Sequence, residues 1–366
     1  MTLLILVGGL FLAYVNGAND NFKGVATLFG SGTANYKRAL YWATVTTFLG
    51  SLAALFLSQG LVAAFSGKGL VPNSVTEMPS FLLAVGIGTA FTVLLATLTG
   101  FPISTTHSLV GGLLGAGLAS GQPIHFQKLF TAYFLPLFFS PLVSVALTLL
   151  VYPSFKKLKE FCGVNGETCF CVGGKEEVVE ITPSGAGVLK STGLTLTVDQ
   201  ISICQTKYMG TIIGVNAHTV LDQLHYCTAG AVSFARGLND TPKIAALLLA
   251  ANFMGVQNGI VWISVAIALG GILSARKVAK TMSQRITSMN HGQGFTANLI
   301  SALLVILASN FSLPVSTTHV TCGSLFGVGL VNGKANWGMI KNILISWILT
   351  LPVAALVSAL IFIFIK

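Results

Sequence analysis

Two short stretches set acids, amides and an ammonium together inside otherwise apolar sequence. Residues 17–23 read GANDNFK and residues 237–243 read GLNDTPK, with Gly, Asn, Asp and Lys matching position for position. A second, longer pair is FPISTTHSLVGGLLGAG at 101–117 and LPVSTTHVTCGSLFGVG at 313–329. The chemistry open to these residue types is ion binding. Asn19, Asp20, Asn21, Asn239 and Asp240 offer hard oxygens suited to a small cation such as Na⁺, with unwound backbone carbonyls and the hydroxyls of Thr105 and Thr317 to complete its shell. Pro102 and Pro314 suit the first turn of a helix. A helix starting there would turn free N–H groups and its positive dipole end inward beside the hydroxyls of Ser104, Thr105 and Thr106, and of Ser316, Thr317 and Thr318. That arrangement fits an oxyanion with several oxygens.

The elements that must position these residues are membrane spans. Of 366 residues, 53% are hydrophobic and only 8% charged, with a mean hydropathy of +0.81; a soluble domain carries roughly a quarter charged residues. The chain therefore reads as an all-α polytopic membrane protein. Its net charge of +10 does not point to nucleic acid, because Lys and Arg gather in short loops between apolar runs. A crossing helix needs about 20 mainly apolar residues. Runs that qualify are 2–33, 40–65, 80–100, 102–118 and 129–151, then 226–250, 253–273, 295–311, 313–331 and 342–364. Within 80–118 and 295–331, two full spans and a re-entrant hairpin both remain open. Residues 1–16 lack a basic start and read as part of the first span, not a cleaved leader.

The basic loops set orientation. Lys37 and Arg38, then Lys156, Lys157 and Lys159, then Arg276, Lys277, Lys280 and Arg285 fall on one side when the N-terminus lies outside. The positive-inside rule then places both termini outside, residues 154–225 in the cytoplasm, and the chain as a multi-pass protein of the plasma (inner) membrane.

The doubled motifs describe a duplication. Asp20 precedes Ser104 in one half as Asp240 precedes Ser316 in the other, at closely similar separations. With five segments per half, an odd number, the second copy enters from the opposite face: two five-segment inverted-topology repeats, with broken helices or re-entrant hairpins at the midplane, the breaks expected at GAND and GLND, where Gly, Asn and Asp favour turns over helix, as well as ahead of the Ser-Thr-Thr blocks. The organisation expected is an N-terminal repeat over 1–153, a small β-rich cytoplasmic insert over 154–206, an interfacial amphipathic helix over 207–225 and a C-terminal repeat over 226–366. Of ten acids in the chain, only Asp20 and Asp240 lie deep in spans, where an acid costs about 2.5–3.5 kcal/mol on insertion scales. Each is read either as a functional ligand or as a structural charge paired with Lys23, Lys243 or Arg236.

Smaller features have plainer readings. His107 and His319 suit hydrogen-bonded loop anchors or a proton relay. GGLLGAG and GSLFGVG suit close helix packing. Asn252, Gln257, Asn258 and Asn310 suit interhelical hydrogen bonds. His218, Asp222 and His225 share a helical face, as a solvated face or a metal site. Cys162, Cys169, Cys171 and Cys204 lack zinc-site spacing and read as free thiols. No P-loop, nucleophile elbow or metalloprotease motif occurs, so no enzyme is expected.

The GANDNFKG and RGLNDTPK stretches and the two P-[IV]-S-T-T-H blocks resemble the inorganic phosphate transporter (PiT) family, over both halves but not the central loop. The RGLNDTPK version is most similar to prokaryotic members and looks like a thermophilic bacterial sodium/phosphate symporter. The resemblance implies inorganic phosphate carried with Na⁺ or H⁺ by a homodimer in lipid, with no cofactor beyond the coupling ion. It places the phosphate site among Asp20, Ser104, Thr105, Thr106, Asp240, Ser316, Thr317 and Thr318, and Na⁺ among Asn19, Asp20, Asn21, Asn239, Asp240, Thr105 and Thr317. Many members carry a Glu in the second span of each half; Thr47 and Asn298 are read as its counterparts here, which favours Na⁺ over H⁺. Many also follow the Asn-Asp pair with Val and small residues, where this chain has Asn21-Phe22-Lys23 and Thr241-Pro242-Lys243. A membrane potential opposes anion entry by about 2.3 kcal/mol per charge per 100 mV, so at least two Na⁺ are expected with a divalent phosphate for neutral transport, and a third would let the potential drive uptake. Sulfate remains an alternative cargo; phosphate can donate a hydrogen bond to Asp20 or Asp240, and sulfate cannot. An anion channel and a receptor are the rival classes.

Overall fold

The computed structural model describes residues 1–57, 59–165, 167–181, 187–207, 212–250 and 255–366. Asn252 lies outside them. Two compact units are present: Met1–Tyr152 with His225–Lys366, and Pro153–Leu224.

Seven helices among the described residues are long and apolar enough to cross a membrane, including Tyr36–Leu57, Pro79–Thr99, Gln257–Ser274, His291–Asn310 and Trp337–Ile365. Large apolar side chains such as Phe56, Leu273, Ile348 and Phe364 are exposed on them, the surface expected where lipid is the solvent. A further helix, Ala217–Ala250, carries Arg236, Asp240 and Lys243 in buried positions.

The Ser-Thr-Thr segments are half-helices. Thr105–Ala119 has 15 residues and Thr317–Asn332 has 16, about 22–24 Å at 1.5 Å per residue, short of the ~30 Å hydrocarbon core. Each follows a long helix and a short extended break. Pro79–Thr99 ends at Gly100, whose φ of +80° is open to glycine, and Phe101 N–H then reaches back to Ala96 O at 2.9 Å. The second break repeats this at the matching positions: Ser312 takes φ +54° and Leu313 N–H meets Ala308 O at 2.8 Å. The first hairpin closes antiparallel. Ser108 Oγ donates to Thr89 O (3.2 Å), and a Cβ on Gly112 would stand 3.3 Å from Val85 O. In the second, Ser301 Oγ and Ser324 Oγ lie 3.0 Å apart. The hairpin reading of 80–118 and 295–331 therefore replaces the reading as two full spans. Pro102 and Pro314 lie in the extended breaks, two positions ahead of the N-caps Ser104 and Ser316, not in the first helical turn.

The two Asn-Asp helices differ. Thr2–Asp20 stops inside the motif, directly after its Asn-Asp pair, and the chain resumes as a turn of 3₁₀ helix, Lys23–Val25, and a short helix, Ala26–Gly30. Ala217–Ala250 runs unbroken through Gly237, Asn239 and Asp240 with Pro242 inside it. The break expected there is absent: the proline removes one N–H, while buried contacts hold the turns on both sides.

Close backbone approach fixes those contacts. A Cβ on Gly17 would lie 1.9 Å from Ile267 O, and one on Gly270 1.8 Å from Tyr14 O. In the other half, a Cβ on Gly237 would lie 2.2 Å from Thr47 O, and one on Gly50 2.0 Å from Phe234 O. One and the same offset along the chain relates Gly17 to Gly237, Tyr14 to Phe234, Thr47 to Ile267 and Gly50 to Gly270. The helix Tyr36–Leu57 is thus the counterpart of Val256–Ser274, and Thr47 matches Ile267; the match of Thr47 to Asn298 is corrected.

The smaller unit holds a three-stranded antiparallel sheet. Its central strand, Thr168–Ile181, lies between Gly187–Gln200 and Ile212–Asn216. The third strand and the helix Ile201–Lys207 occupy ground that the sequence reading gave in part to an amphipathic helix over 207–225. Among the described residues of that stretch, Lys207 ends the preceding helix, Ile212–Asn216 form the strand, and a helix resumes at Ala217. Cys171 and Cys204 are disulfide-bonded and buried, which corrects the reading of both as free thiols; Cys162 and Cys169 are free.

Candidate ion-binding site

Every buried Asp, Glu, Lys or Arg among the described residues belongs to one cluster: Asp20, Lys23, Arg236, Asp240 and Lys243. Charges in apolar surroundings persist when paired and hydrogen-bonded, and the two repeats meet that demand in parallel ways. Lys23 Nζ pairs with Asp20 and donates to Asn19 Oδ1 (2.8 Å), Ile103 O (2.8 Å) and Thr318 Oγ1 (2.6 Å). Lys243 Nζ lies 3.5 Å from Asp240 Oδ1 and donates to Val315 O (2.9 Å) and Thr106 Oγ1 (2.8 Å). Each ammonium thus binds its own acid, a carbonyl of its own extended break, and the last threonine of the other half's Ser-Thr-Thr. The breaks make those carbonyls available, since residues 101–104 and 313–316 lie outside any helix.

Arg236 stands between the halves. Its Nη2 donates to Asn16 Oδ1 (2.7 Å), its Nη1 to Asn21 Oδ1 (3.3 Å) and Thr47 Oγ1 (3.4 Å), and its Nε lies 3.7 Å from Asp240 Oδ2. Asn16 Nδ2 in turn donates to Thr105 Oγ1 (3.0 Å), Asp20 Oδ2 (3.3 Å) and Asp240 Oδ2 (3.5 Å). At ordinary protonation two acids and three bases leave the cluster with one net positive charge.

The predicted ligands divide accordingly. Asn19, Asp20, Thr105, Thr106 and Thr318 converge with Asp240. Asn19 Nδ2 also reaches Thr97 Oγ1 (3.0 Å) and Phe101 O (3.1 Å), and Thr105 Oγ1 donates to Asp20 Oδ2 (3.3 Å). Asn239 Nδ2 donates to Val315 O (3.2 Å) and Asp240 Oδ1 (3.1 Å). Ser104 and Ser316 cap their half-helices, accepting from His107 N–H (3.1 Å) and His319 N–H (3.2 Å). Thr317 is buried at the first position of its helix. Asn21 stands apart from the acid nests: its amide donates to Thr44 Oγ1 (2.9 Å) and its oxygen is taken by Arg236.

Asn16, Thr97, Ile103 and Val315 join this cluster although the motifs did not single them out. A signal for Asn16 was present: laid over one another, NGAND and RGLND set Asn16 in the place of Arg236. The two motif histidines meet face to edge, ring centroids 4.6 Å apart. His319 is anchored by Leu137 O (3.1 Å) and stacks near Trp347, whose indole donates to Pro102 O (2.9 Å). His225 leaves the solvated face given to it: it is buried, its Nε2 2.9 Å from Thr27 Oγ1. His218 and Asp222 pair at 3.3 Å, with His218 exposed.

With this geometry in place, a family model described as the phosphate transporter family matches residues 16–358. The chain belongs to the phosphate transporter family. Its relatives in that family match it nearly end to end. A candidate phosphate permease of Pyrococcus abyssi is 30% identical over 98% of this chain and 96% of its own length. A candidate low-affinity inorganic phosphate transporter of Bacillus subtilis is 26% identical over 98% and 96%. A solved structure titled the sodium-dependent phosphate transporter shares the fold, with a TM-score of 0.73, 23% identity, and coverage of 99% of this chain and 98% of that one. Family membership and the seven apolar helices together make this a multi-pass membrane protein.

Proposed function

We propose that the chain carries inorganic phosphate across the membrane by alternating access, with Na⁺ as coupling ion. One observation carries the reading. Two half-helix N-termini, one from each repeat, converge with Asp20, Asp240 and three buried bases on a polar cluster of net positive charge. First-turn N–H groups and Ser-Thr-Thr hydroxyls suit a tetrahedral oxyanion, and the two carboxylates can accept the proton that phosphate bears and sulfate lacks. The names of the relatives favour the same cargo. Asn239 and the carboxylate oxygens of Asp20 and Asp240 that their lysines leave free supply the oxygen chemistry for sodium, and the shared fold with a sodium-dependent transporter supports that choice.

Where the contacts run supports alternating access. Lys23 and Lys243 each tie their own half to the other half's threonine, so rocking the halves 1–153 and 226–366 against one another would open the site to one side at a time. The basic loops favour both termini outside and the insert 154–206 in the cytoplasm, and a homodimer is the assembly we adopt.

Uptake of labelled phosphate into proteoliposomes tests this. Uptake driven by an inward Na⁺ gradient, unaffected by excess sulfate, is the expected result. Uptake driven only by an H⁺ gradient would replace the coupling ion. Full competition by sulfate would replace the cargo, and flux without either gradient would replace the class.

A further inference from the structure

We infer that Lys23 and Lys243 are tethered cations, whose ammonium groups fill the two oxygen nests that would otherwise each hold a Na⁺, so that the chain couples fewer sodium ions per phosphate than its two buried acids imply. The inference rests on the symport reading above and refines its stoichiometry.

The nests carry the argument. Around Lys23 Nζ stand a carboxylate oxygen of Asp20, the amide oxygen of Asn19, the carbonyl of Ile103 and the hydroxyl of Thr318. Around Lys243 Nζ stand a carboxylate oxygen of Asp240, the carbonyl of Val315 and the hydroxyl of Thr106. These are the hard ligands expected of a sodium site built on unwound carbonyls, and in both nests a single-charged ammonium already holds them. An ammonium has three N–H donors, enough to engage the first nest with one donor shared and the second in full.

A plain structural ion pair would not require this. Lysine at the third position after aspartate can pair on its own helix turn. Here both side chains also reach a carbonyl of the extended break and a threonine of the opposite repeat. The ammonium thus bridges the same elements that a bound cation would bridge. Lys23 and Lys243 occupy matching places in the doubled Asn-Asp motif, and Thr106 and Thr318 matching places in the doubled Ser-Thr-Thr block. The substitution of tethered for free cation is therefore made in both halves. Asp20 and Asp240 are then neutralised by the chain itself, and Arg236 adds the remaining positive charge. A divalent phosphate entering this cluster leaves a single negative charge, which one sodium offsets. One sodium with a monovalent phosphate is an electroneutral cargo.

The test measures labelled sodium and labelled phosphate entering the same proteoliposomes. Wild type is compared with Lys23→Ala, Lys243→Ala and the double variant, which empty the nests while keeping the acids. The sodium-to-phosphate ratio is expected to be one or less in wild type and to climb by one ion for each lysine replaced, with a steeper sodium dependence of uptake. An unchanged ratio in variants that still carry phosphate would overturn the inference. If the variants do not fold, equilibrium binding of labelled sodium to the purified wild-type protein in saturating phosphate decides: at most one bound ion per chain upholds it, and two or more overturn it. The symport reading fails separately. Wild-type uptake indifferent to sodium would remove sodium coupling, yet variants that gain sodium dependence would still uphold the tethered cations. If wild type carries no phosphate, the same sodium count without phosphate decides.

Discussion

Arg236 and Asn16 hold corresponding places in the two repeats and bind one another: Nη2 of the arginine donates to Oδ1 of the asparagine at 2.7 Å. One position of the repeat thus carries a charge in one half and its neutral acceptor in the other. A matched pair of arginines facing across this point would repel, and a matched pair of asparagines would leave the cluster without its net positive charge. The asymmetry gives a single fork of donors facing both acids through Asn16 and directly at Asp240.

Arg236→Gln and Arg236→Lys are therefore expected to behave alike. Neither keeps the planar fork that spans Asn16, Asn21 and Thr47. Phosphate affinity, read by calorimetry on protein in nanodiscs, should fall at least tenfold in both, about 1.4 kcal/mol or more. Wild-type affinity in Arg236→Lys would show that charge alone suffices.

The acids are predicted to serve stability as well as binding. Replacing Asp20 by Asn leaves the ammonium of Lys23 buried without its counter-ion, and removing one partner of a buried pair destabilises by about 3–5 kcal/mol. Thermal unfolding in detergent should show a clear loss for Asp20→Asn. Adding Lys23→Met to Asp20→Asn should restore part of that stability, because no unpaired charge remains, while phosphate uptake is expected to be lost in both variants. Additive losses in the double variant would show that the two residues do not act as a pair.

The doubled Asn-Asp and Ser-Thr-Thr blocks made the site legible in sequence, because acids and hydroxyls in apolar runs stand out and repetition shows that they are no accident of composition. Pro102 and Pro314 marked that a helix starts near each Ser-Thr-Thr block, but they were read into its first turn, whereas they lie in the extended break two positions ahead of the cap. Lys23 and Lys243 were visible as pairing partners but not as occupants of the nests, since spacing along a helix says nothing of where the carbonyls of Ile103 and Val315 converge. Asn21 sits in the motif, yet the chain turns directly after Asp20 and carries it to Arg236. The break expected at Gly237–Lys243 failed because packing against Tyr36–Leu57 outweighs one proline. Local pattern could not separate the strand Ile212–Asn216 from an amphipathic helix, and cysteine spacing could not disclose the bond between Cys171 and Cys204.

The glycines of the Asn-Asp motifs are predicted to be intolerant of a single methyl. At Gly17 and Gly237 an added Cβ meets backbone oxygen at 1.9 and 2.2 Å, so the helices must move apart, and small residues are what let membrane helices approach. Gly17→Ala and Gly237→Ala should each lower the unfolding temperature and the yield of folded protein in size-exclusion chromatography. Gly255→Ala, with nothing within 4 Å of its Cβ position, should match wild type. Equal behaviour of all three would argue against the close crossings.

Orientation is tested through Cys162, which is free and exposed just after the basic residues Lys156, Lys157 and Lys159. The positive-inside rule places that segment in the cytoplasm. A membrane-impermeant maleimide added to intact right-side-out vesicles should leave Cys162 unlabelled in a variant carrying Cys227→Ser, whose other exposed free thiol is gone. The same reagent should label it once the vesicles are opened. Labelling in intact vesicles would invert the topology. It would also set the Cys171–Cys204 bond on the oxidising side of the membrane, where such bonds ordinarily persist. Protection in intact vesicles would instead place that bond in a reducing compartment, and its survival after thiol-trapped extraction, read on a non-reducing gel, would then rest on its burial within the sheet unit.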